Sequence, residues 1–208
     1  MPKLFHLAAS PRAASESAAG ARVFVDSFRG ARPTWDIDEI NLWHEGLPEF
    51  DGAALEAKYA RMDARPFSDA QRDAFAVIER LAIRFALAER VVISTPMWNF
   101  GIPYKLKQWF DLITQPGLTF RFDPVQGYLP LLKDRPTVVV VASGGDFITG
   151  MNRGRIDMAT PYLREALRFI GIRDVRFVPI GPTTGPGEPI RLAREAAYRR
   201  LRDIASAF

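Results

Sequence analysis

The sequence predicts an α/β fold, a three-layer sandwich in which a five-stranded parallel sheet carries helices on both faces. Short apolar runs alternate along the chain with segments whose apolar residues recur at helical spacing. The first, third and fourth runs are almost continuously apolar, as in strands buried on both faces. The second and fifth runs alternate between apolar and polar residues, which suits the two edges of a sheet. Together these observations indicate the strand order 2-1-3-4-5.

The alternation within the strands sets their places in the sheet. In the second strand, Trp35 and Ile37 alternate with Asp36 and Asp38, so one side of this strand meets water. The fifth strand alternates in the same way around Arg176. Ligands of open parallel sheets bind beyond the carboxyl ends of the strands, here between strands one and three, where the order reverses. The predicted strands cover residues 3–9, 34–40, 90–95, 137–143 and 174–180.

Helices are predicted between the strands from apolar residues that recur at i, i+3, i+4 and i+7. Ser68 is a candidate N-cap because Gln71 follows in the capping-box position. The last helix is expected to start near Pro189, since proline suits the first helical turn. Residues 41–67 are expected to hold a loop and a short helix in GAALEAKYARMD. The predicted helices lie around Ala21–Phe28, Ser68–Glu89, Leu106–Ile113, Leu163–Ile170 and residues 188–206.

The composition restricts the class of protein. The 208 residues contain no repeat or linker, which predicts one domain over residues 1–208. Hydrophobic residues make up 48% and charged residues 25%, which is typical of globular proteins. No apolar run approaches the ~20 residues that a membrane-spanning helix needs, and the start MPKLFHLAAS fits a first strand better than a signal peptide. We therefore expect a cytoplasmic protein without a membrane partner.

Cysteine content and charge limit the chemistry further. The absence of cysteine excludes disulfides, thiolate catalysis and cysteine metal sites, and it fits a reducing compartment. The net charge of +4 comes without a basic patch interleaved with aromatic residues, so no nucleic acid partner is predicted. His6 is expected in the core and His44 in a loop; neither has a metal-binding companion at a useful spacing.

The turn after the first strand, SPRAASESAAG, carries hydroxyl groups ahead of a helix. Ser10, Ser15 and Ser17 offer hydroxyls, Arg12 adds positive charge, and the helix offers unpaired backbone N–H groups at its positive end. This combination predicts a phosphate seat. The alternative is that these serines are only N-caps. The dinucleotide pattern G-x-G-x-x-G is absent from this turn.

The loop after the fourth strand, SGGDFITGMN, is rich in glycine. Gly144 and Gly145 allow a ligand to approach the backbone closely. Gly145 and Gly150 have the spacing of a phosphate-binding loop, but Met151 follows where that motif needs lysine, so the motif is rejected. Ser143 stands outside any G-x-S-x-G pattern, which argues against a hydrolase.

The turn after the third strand places large apolar side chains where water is hard to exclude. Such residues either close a core or form a wall for a flat ligand. With the phosphate seat and the glycine-rich loop, they fit a planar ring that carries a phosphate, which is the shape of flavin mononucleotide (FMN). The residues of this turn are Pro96, Met97, Trp98, Asn99 and Phe100.

The sequence resembles the FMN-dependent NADH azoreductases, which belong to the flavodoxin-like NAD(P)H quinone reductases. The resemblance covers nearly the whole chain and implies a flavodoxin-like fold. It rests on PMWNFGIPYKLKQWFDLITQPGLTFRF (96–122), VVVVASGG (138–145) and TPYLREALRFIGIRDVRFV (160–178).

The resemblance implies a set of cofactor-binding residues. The family loop after the fourth strand usually reads Ser-Arg-Gly-Gly, whereas this chain has a shorter loop without the arginine. Trp98 stands where the family usually has tyrosine, which keeps an aromatic face but removes a hydroxyl. The implied FMN contacts are Ser10, Ser15, Glu16, Ser17, Pro96, Met97, Trp98, Asn99, Phe100, Ser143, Gly144 and Gly145.

The resemblance also implies a reaction. NADH or NADPH delivers hydride to the flavin N5 and leaves, and a quinone or azo compound then accepts two electrons in its place. No catalytic side chain is predicted, because the flavin carries the hydride. Family members are homodimers with flavin sites at the interface. Phe120 and Phe122 are candidates for an aromatic lid, with an ordinary hairpin as the alternative, and Phe147 is a third predicted substrate contact.

A flavodoxin-type electron carrier between protein partners is the alternative function. Such carriers tend to be acidic, whereas this chain is basic, with a net charge of +4. The sequence leaves open the physiological acceptor and the choice between NADH and NADPH.

Overall fold

The computed structural model describes residues 1–147 and 154–208. Each predicted strand and helix is present in this part of the chain, with ends shifted by a few residues at most. The helices are α1 (Glu16–Ala31), α2 (Gly52–Met62), α3 (Asp69–Ala86), α4 (Tyr104–Ile113), α5 (Ala159–Ile170) and α6 (Gly187–Ala207). The strands are β1 (Lys3–Ala8), β2 (Asp36–Asn41), β3 (Arg90–Pro96), β4 (Phe120–Asp123), β5 (Gly127–Pro130), β6 (Thr137–Ala142) and β7 (Val175–Ile180).

Five strands form one parallel sheet in the order β2-β1-β3-β6-β7. Because β4 and β5 pair only with each other, β6 and β7 are the fourth and fifth parallel strands, and the predicted order 2-1-3-4-5 is confirmed. Burial follows the sequence pattern, since every residue of β6 is buried whereas Ile40 is the only fully buried residue of β2. The reversal of strand order therefore lies between β1 and β3, as predicted.

Helices cover both faces of the sheet, and each face has its own apolar core. α1 and α6 pack on one face around Phe24 and Leu201. α2, α3, α4 and α5 cover the other face around Trp109. Gly20 lets α1 lie close to the sheet, because a Cβ at this position would come within 2.8 Å of Ile180 Cδ1. Removal of these large apolar side chains from water is the main force that holds the layers together.

The helix ends match the predicted caps. The Ser68 hydroxyl accepts a hydrogen bond from the Gln71 N–H at 3.3 Å, and the Gln71 side chain accepts one from the Ser68 N–H at 2.9 Å. α6 starts at Gly187, just before the predicted start at Pro189. Pro189 still lies in the first turn, where its missing N–H removes no helical hydrogen bond. α2 is the short helix expected within residues 41–67.

Candidate functional site

The three predicted binding turns start side by side at the carboxyl ends of β1, β3 and β6. The Ala9 N–H donates to the Ser94 carbonyl at 2.8 Å, and the Met97 N–H donates to the Ala142 carbonyl at 2.7 Å. Adjacent strands lie about 4.8 Å apart. The turns that begin at Ser10, Met97 and Ser143 therefore meet at one end of the sheet.

The turn after β3 has an unusual backbone. The N–H groups of Trp98 and Gly101 each donate to the other residue's carbonyl, at 2.9 and 3.0 Å. Asn99 and Phe100 between them have φ values of 48° and 72°. Positive φ is tolerated by asparagine but is rare and costly for phenylalanine. Strain of this kind is concentrated at functional sites. Phe100 is also 43% exposed, and its carbonyl accepts a hydrogen bond from the Met158 N–H.

The loop after β6 is held by the segment that follows β7. The Ser143 hydroxyl donates to the Gly145 carbonyl at 2.8 Å. The Ser143 carbonyl accepts hydrogen bonds from both the N–H and the hydroxyl of Thr183, and Thr184 donates to the Gly144 carbonyl. These contacts fix Ser143, Gly144 and Gly145. Gly150 and Met151 lie outside the described residues.

A cavity of about 1060 Å³ opens between these two turns. Aromatic and thioether side chains form one part of its wall, and backbone groups of the glycine-rich loop form another. Most ligand sites combine an apolar wall with a few placed polar groups in this way. The lining residues are Met97, Asn99, Phe100, Ser143, Gly144, Gly145, Asp146, Phe147, Arg155, Pro182, Thr184, Pro186 and Pro189.

A smaller cavity of about 200 Å³ adjoins the first one. It shares Met97, Ser143 and Phe147 with the larger cavity and reaches the start of α5. There the Asp157 carboxylate accepts hydrogen bonds from the backbone N–H groups of Ala159 and Thr160. The Asp157 charge is thus placed at the positive end of the α5 dipole.

The predicted phosphate seat lies at the start of α1. Ser15 is the N-cap, and its hydroxyl accepts from the Ala18 N–H at 3.2 Å and lies 3.1 Å from the Ser17 hydroxyl. Both serines are buried, whereas Ser10 is half-buried. None of them lines the larger cavity, so their role toward a phosphate stays a prediction.

Glu16, the first residue of α1, has a structural partner. Its carboxylate accepts hydrogen bonds from Arg194 of α6, with Nε at 3.0 Å from Oε2. These bonds raise the pKa of the Arg194 guanidinium and fasten the start of α1 to α6. The predicted contact between Glu16 and a cofactor is not tested by this pairing.

Trp98 lies outside the residues that line the larger cavity. Its ring packs against Trp43, with 5.7 Å between ring centroids, and Trp43 in turn packs against Tyr104 at 5.3 Å. Trp43 also donates from its indole N–H to the Ala9 carbonyl at 3.1 Å. Trp43 is not among the residues predicted from sequence, although its place two residues after β2 is a signal, because that strand also ends at the site.

Phe120 and Phe122 belong to the β4–β5 hairpin, the alternative to a lid. Phe120 is buried and packs against Phe169 at 5.1 Å, whereas Phe122 is 58% exposed and packs against Tyr128 at 5.3 Å. Neither residue lines the larger cavity, so their contact with a substrate stays a prediction. Phe147, by contrast, lies in both cavities.

The described residues offer little other chemistry at this end of the sheet. His6 is buried as predicted, between the Glu39 carboxylate at 2.9 Å and the Ser94 hydroxyl at 3.0 Å. The hydrogen bond from His6 lowers the pKa of Glu39. Residues 1–147 and 154–208 contain no cluster of three ligating side chains that could hold a metal ion. No helix among them is long and apolar enough to cross a membrane.

Comparison with known proteins identifies the family. The chain matches the flavodoxin-like fold family over residues 2–204 and belongs to that family. It is 74% identical over 208 residues to FMN-dependent NADH:quinone oxidoreductase 1 of Bradyrhizobium diazoefficiens, with both chains covered completely. It is 40% identical over 210 aligned positions to FMN-dependent NADH:quinone oxidoreductase 2 of Burkholderia lata, covering 99% of this chain and 100% of the relative.

Solved structures of azoreductases have the same fold. An FMN-dependent NADH-azoreductase from Bacillus anthracis in complex with FMN aligns with a TM-score of 0.88 at 26% identity, covering 100% of this chain and 99% of the other. Another azoreductase from Bacillus anthracis aligns with a TM-score of 0.90 at 23% identity over both complete chains, and this likeness supports the fold alone. The predicted resemblance to the azoreductase family is confirmed.

Proposed function

We propose that this protein is an FMN-dependent NADH:quinone oxidoreductase that also reduces azo compounds. The observation that carries the proposal is the 74% identity, over the whole length of both chains, to a relative with that quinone reductase name. The azo activity is supported by the likeness to an NADH-azoreductase in complex with FMN. The basic charge of the chain does not favour the alternative of an electron carrier between proteins.

The residues at the carboxyl end of the sheet fit FMN. Met97, Phe100 and Phe147 offer an apolar wall for a flat ring, and the glycines of the loop after β6 offer backbone groups without side chains in the way. The serines at the start of the 16-residue helix α1 offer hydroxyls and a positive helix end for the phosphate. When bound, FMN supplies the hydride chemistry and passes two electrons from NADH to the acceptor.

The work left to the protein is binding and exclusion of water. In this proposal a nicotinamide and then a quinone or azo compound occupy the larger cavity beside the cofactor, which is the ping-pong order that the resemblance implies. The residues proposed to hold FMN are those predicted from sequence, and Trp98 acts in this proposal through its packing on Trp43.

We further propose that the active form is a homodimer, one domain per chain, in the cytoplasm. Support for the dimer comes from Tyr104, Phe122 and Tyr128, large aromatic residues that are each more than half exposed. Exposed apolar clusters mark interaction surfaces, and Phe122 and Tyr128 pack against each other in the hairpin. Light scattering on a sizing column measures the mass directly. A monomer at micromolar concentration, with FMN bound, would contradict this part.

The central test is spectroscopic. The purified protein is expected to be yellow, with an absorbance band near roughly 450 nm that is typical of a flavin. NADH should bleach this band under anaerobic conditions, and menadione or methyl red should restore it. Rates with NADH and NADPH show which reductant is preferred. A colourless protein that cannot be reconstituted with FMN would refute the proposal.

Two serine variants of α1 test the phosphate seat. Ser17→Ala is expected to weaken FMN binding about tenfold, the effect of one lost hydrogen bond to a charged group. Ser27→Ala is the matched control, because Ser27 lies in the same helix but bonds to the Val23 carbonyl, away from the seat. The dissociation constants are measured by quenching of FMN fluorescence. Equal FMN affinity in both variants would remove Ser17 from the site.

A further inference from the structure

A tryptophan that follows β2 contacts two of the three turns of the candidate site. The indole N–H of Trp43 donates to the Ala9 carbonyl at 3.1 Å, in the turn after β1. The Trp43 ring packs against Trp98 in the turn after β3, with 5.7 Å between ring centroids. Both contacts come from one half-buried side chain. Trp43 thus joins the turn that carries the predicted phosphate seat to the turn that forms part of the cavity wall.

The end of β2 and the start of α4 hold Trp43 in place. The Leu42 N–H donates to the Ala8 carbonyl at 3.0 Å, next to the pairing of β2 with β1. The Trp43 N–H donates to the Asn41 side-chain oxygen, also at 3.0 Å. Tyr104, the first residue of α4, packs edge-on against the Trp43 ring at 5.3 Å, an arrangement that aromatic pairs prefer. The position of the indole is therefore determined by β1, β2 and α4 together.

The hydrogen bond from Trp43 fixes the direction of the N–H group that follows Ala9. The Ala9 carbonyl and the Ser10 N–H belong to one planar trans peptide unit, in which they point in opposite directions. Because the carbonyl points to Trp43, the Ser10 N–H points away from it. In the described part of the chain, no atom accepts a hydrogen bond from this N–H. An unpaired backbone N–H beside the Ser10 hydroxyl is a donor that a phosphate oxygen can accept.

The ring contact supports the strained turn after β3. Trp98 and Gly101 exchange backbone hydrogen bonds, and Asn99 and Phe100 lie between them with φ values of 48° and 72°. A backbone in such a conformation persists only when the surrounding structure holds it. Phe100 lines the larger cavity, whereas Trp98 and Trp43 do not. The tryptophan pair therefore supports the turn without lining the cavity.

We propose that Trp43 is a positioning residue that fixes the phosphate seat relative to the apolar wall of the FMN site. FMN spans both turns in the proposed function, with its phosphate at the start of α1 and its ring beside Met97 and Phe100. A ligand held at two places binds most tightly when both places are already positioned for it. Trp43 positions them through one hydrogen bond and one ring contact. This inference rests on the proposed function and assigns a role to a residue outside the cavity wall.

The experiment compares FMN with riboflavin, which has the same ring but lacks the phosphate. Quenching of flavin fluorescence gives both dissociation constants, and the ratio of the riboflavin value to the FMN value measures what the phosphate contributes. Trp43→Phe keeps a ring against Trp98 but removes the donor to Ala9. It should lower the ratio about fivefold, as for loss of one neutral hydrogen bond. A residue that only stabilised the fold would weaken the binding of both flavins alike, and the ratio would stay unchanged.

Trp35→Phe is the matched control. Trp35 lies at the opposite end of β2, is also half-buried and packs against Phe28 at 5.2 Å, so this variant should keep the wild-type ratio. A wild-type ratio in Trp43→Phe, or an equal fall in both variants, would overturn the inference while leaving the proposed function intact. Wild-type protein that binds neither FMN nor riboflavin would instead refute the proposed function, and the inference with it.

Circular dichroism of the bound flavin tests the ring contact separately. Trp43→Leu removes the ring that packs on Trp98, so the turn after β3 should hold the flavin in a less defined orientation. At saturating FMN, the visible dichroism band should lose intensity in Trp43→Leu and keep it in Trp43→Phe. If Trp43→Leu does not fold, Trp43→Phe and its riboflavin ratio carry the test. Equal band intensities in the two variants would overturn the role assigned to the ring contact.

Discussion

At the amino ends of the parallel strands, Arg135 is buried and donates hydrogen bonds to the carbonyls of Phe85, Ala86 and Ala88, at the end of α3. At the carboxyl ends, Ser143 and Arg155 instead border a cavity of about 1060 Å³. Polar groups at both ends bond to the backbone, since the Ser143 hydroxyl donates to the Gly145 carbonyl, but only the carboxyl end borders this cavity. The difference teaches that a polar or charged residue does not by itself identify a site; the space beside it must be considered too.

Asp134 adds further hydrogen bonds at the amino ends. The Asp134 carboxylate accepts from the backbone N–H groups of Arg135, Arg173 and Asp174. Burial opposes ionisation of this carboxyl, but the three N–H donors hold its pKa below the usual value. Burial also lowers the pKa of the Arg135 guanidinium. These residues join α3, β6 and β7, and we expect them to determine stability rather than binding.

The largest expected effect on stability comes from removing the hydrogen bonds of Arg135. Arg135→Met should lower the free energy of unfolding by about 3 kcal/mol, because the methionine keeps the apolar stem but leaves several carbonyls without a donor. Urea denaturation near neutral pH measures the change. Lys133→Met is the control, since Lys133 is exposed, and it should change stability by less than about 0.5 kcal/mol. Equal effects of both substitutions would mean that the amino ends are not held by Arg135.

The next effect concerns the edge strand β2 and depends on pH. Arg84 donates to the Asp38 carboxylate with Nε at 3.0 Å, and these hydrogen bonds hold the pKa of Asp38 below its ordinary value of 3.8. A lowered pKa in the folded state adds stability above 3.8 that is lost as the pH falls through the folded value. Asp38→Asn should therefore cost about 1 kcal/mol near neutral pH, discounted for exposure of Arg84.

In strongly acidic solution the two proteins should converge, because the wild-type carboxyl is then protonated. Thermal denaturation across the acidic range measures the difference. Asp69→Asn is the matched control, since Asp69 pairs with Arg72 but its side chain is 98% exposed. A constant difference between wild type and Asp38→Asn at every pH would show that packing, and not the charge, holds this strand.

A serine at the carboxyl ends should separate stability from binding. Ser143→Ala removes the hydrogen bond to the Gly145 carbonyl and should cost about 1 kcal/mol of stability. Because this bond shapes the loop that lines the cavity, FMN affinity should fall as well. Arg135→Met, measured where the variant is fully folded, should keep the FMN affinity of the wild type. FMN titration and urea denaturation of both variants make the comparison. Loss of FMN affinity in Arg135→Met alone would reverse the roles assigned to the two ends.

The sequence predicted the fold well because the information is local. Continuous apolar runs identified the buried strands, and the alternation around Asp36 and Arg176 identified the edges, so the strand order followed. The meeting of the three turns also followed, since the position of a site in an open sheet depends on strand order. The contact of Trp98 with Trp43 and that of Arg155 with Gly145 did not follow. Trp43 and Trp98 are 55 residues apart, and the approach of Arg155 to Gly145 depends on the path of the chain between β6 and α5, so only the folded chain determines either contact.

The smallest effect tests the strained turn after β3. Phe100 has a φ of 72°, so its place in the turn costs backbone strain, and 43% of the residue is still exposed. Phe100→Gly removes the strain but adds freedom to the unfolded chain, and the net result should be a gain of about 0.5 kcal/mol in stability. FMN affinity should fall, because the cavity loses part of its aromatic wall.

Phe122→Ala is the matched control for this last substitution. Phe122 is similarly exposed but belongs to the hairpin and lies outside the cavity wall, so FMN affinity should stay unchanged. Urea denaturation and FMN titration of the two variants separate the effects. A less stable Phe100→Gly protein with unchanged FMN affinity would mean that the turn is structural. A more stable protein that binds FMN more weakly would mean that the strain is retained for the ligand, as the open end of the sheet leads us to expect.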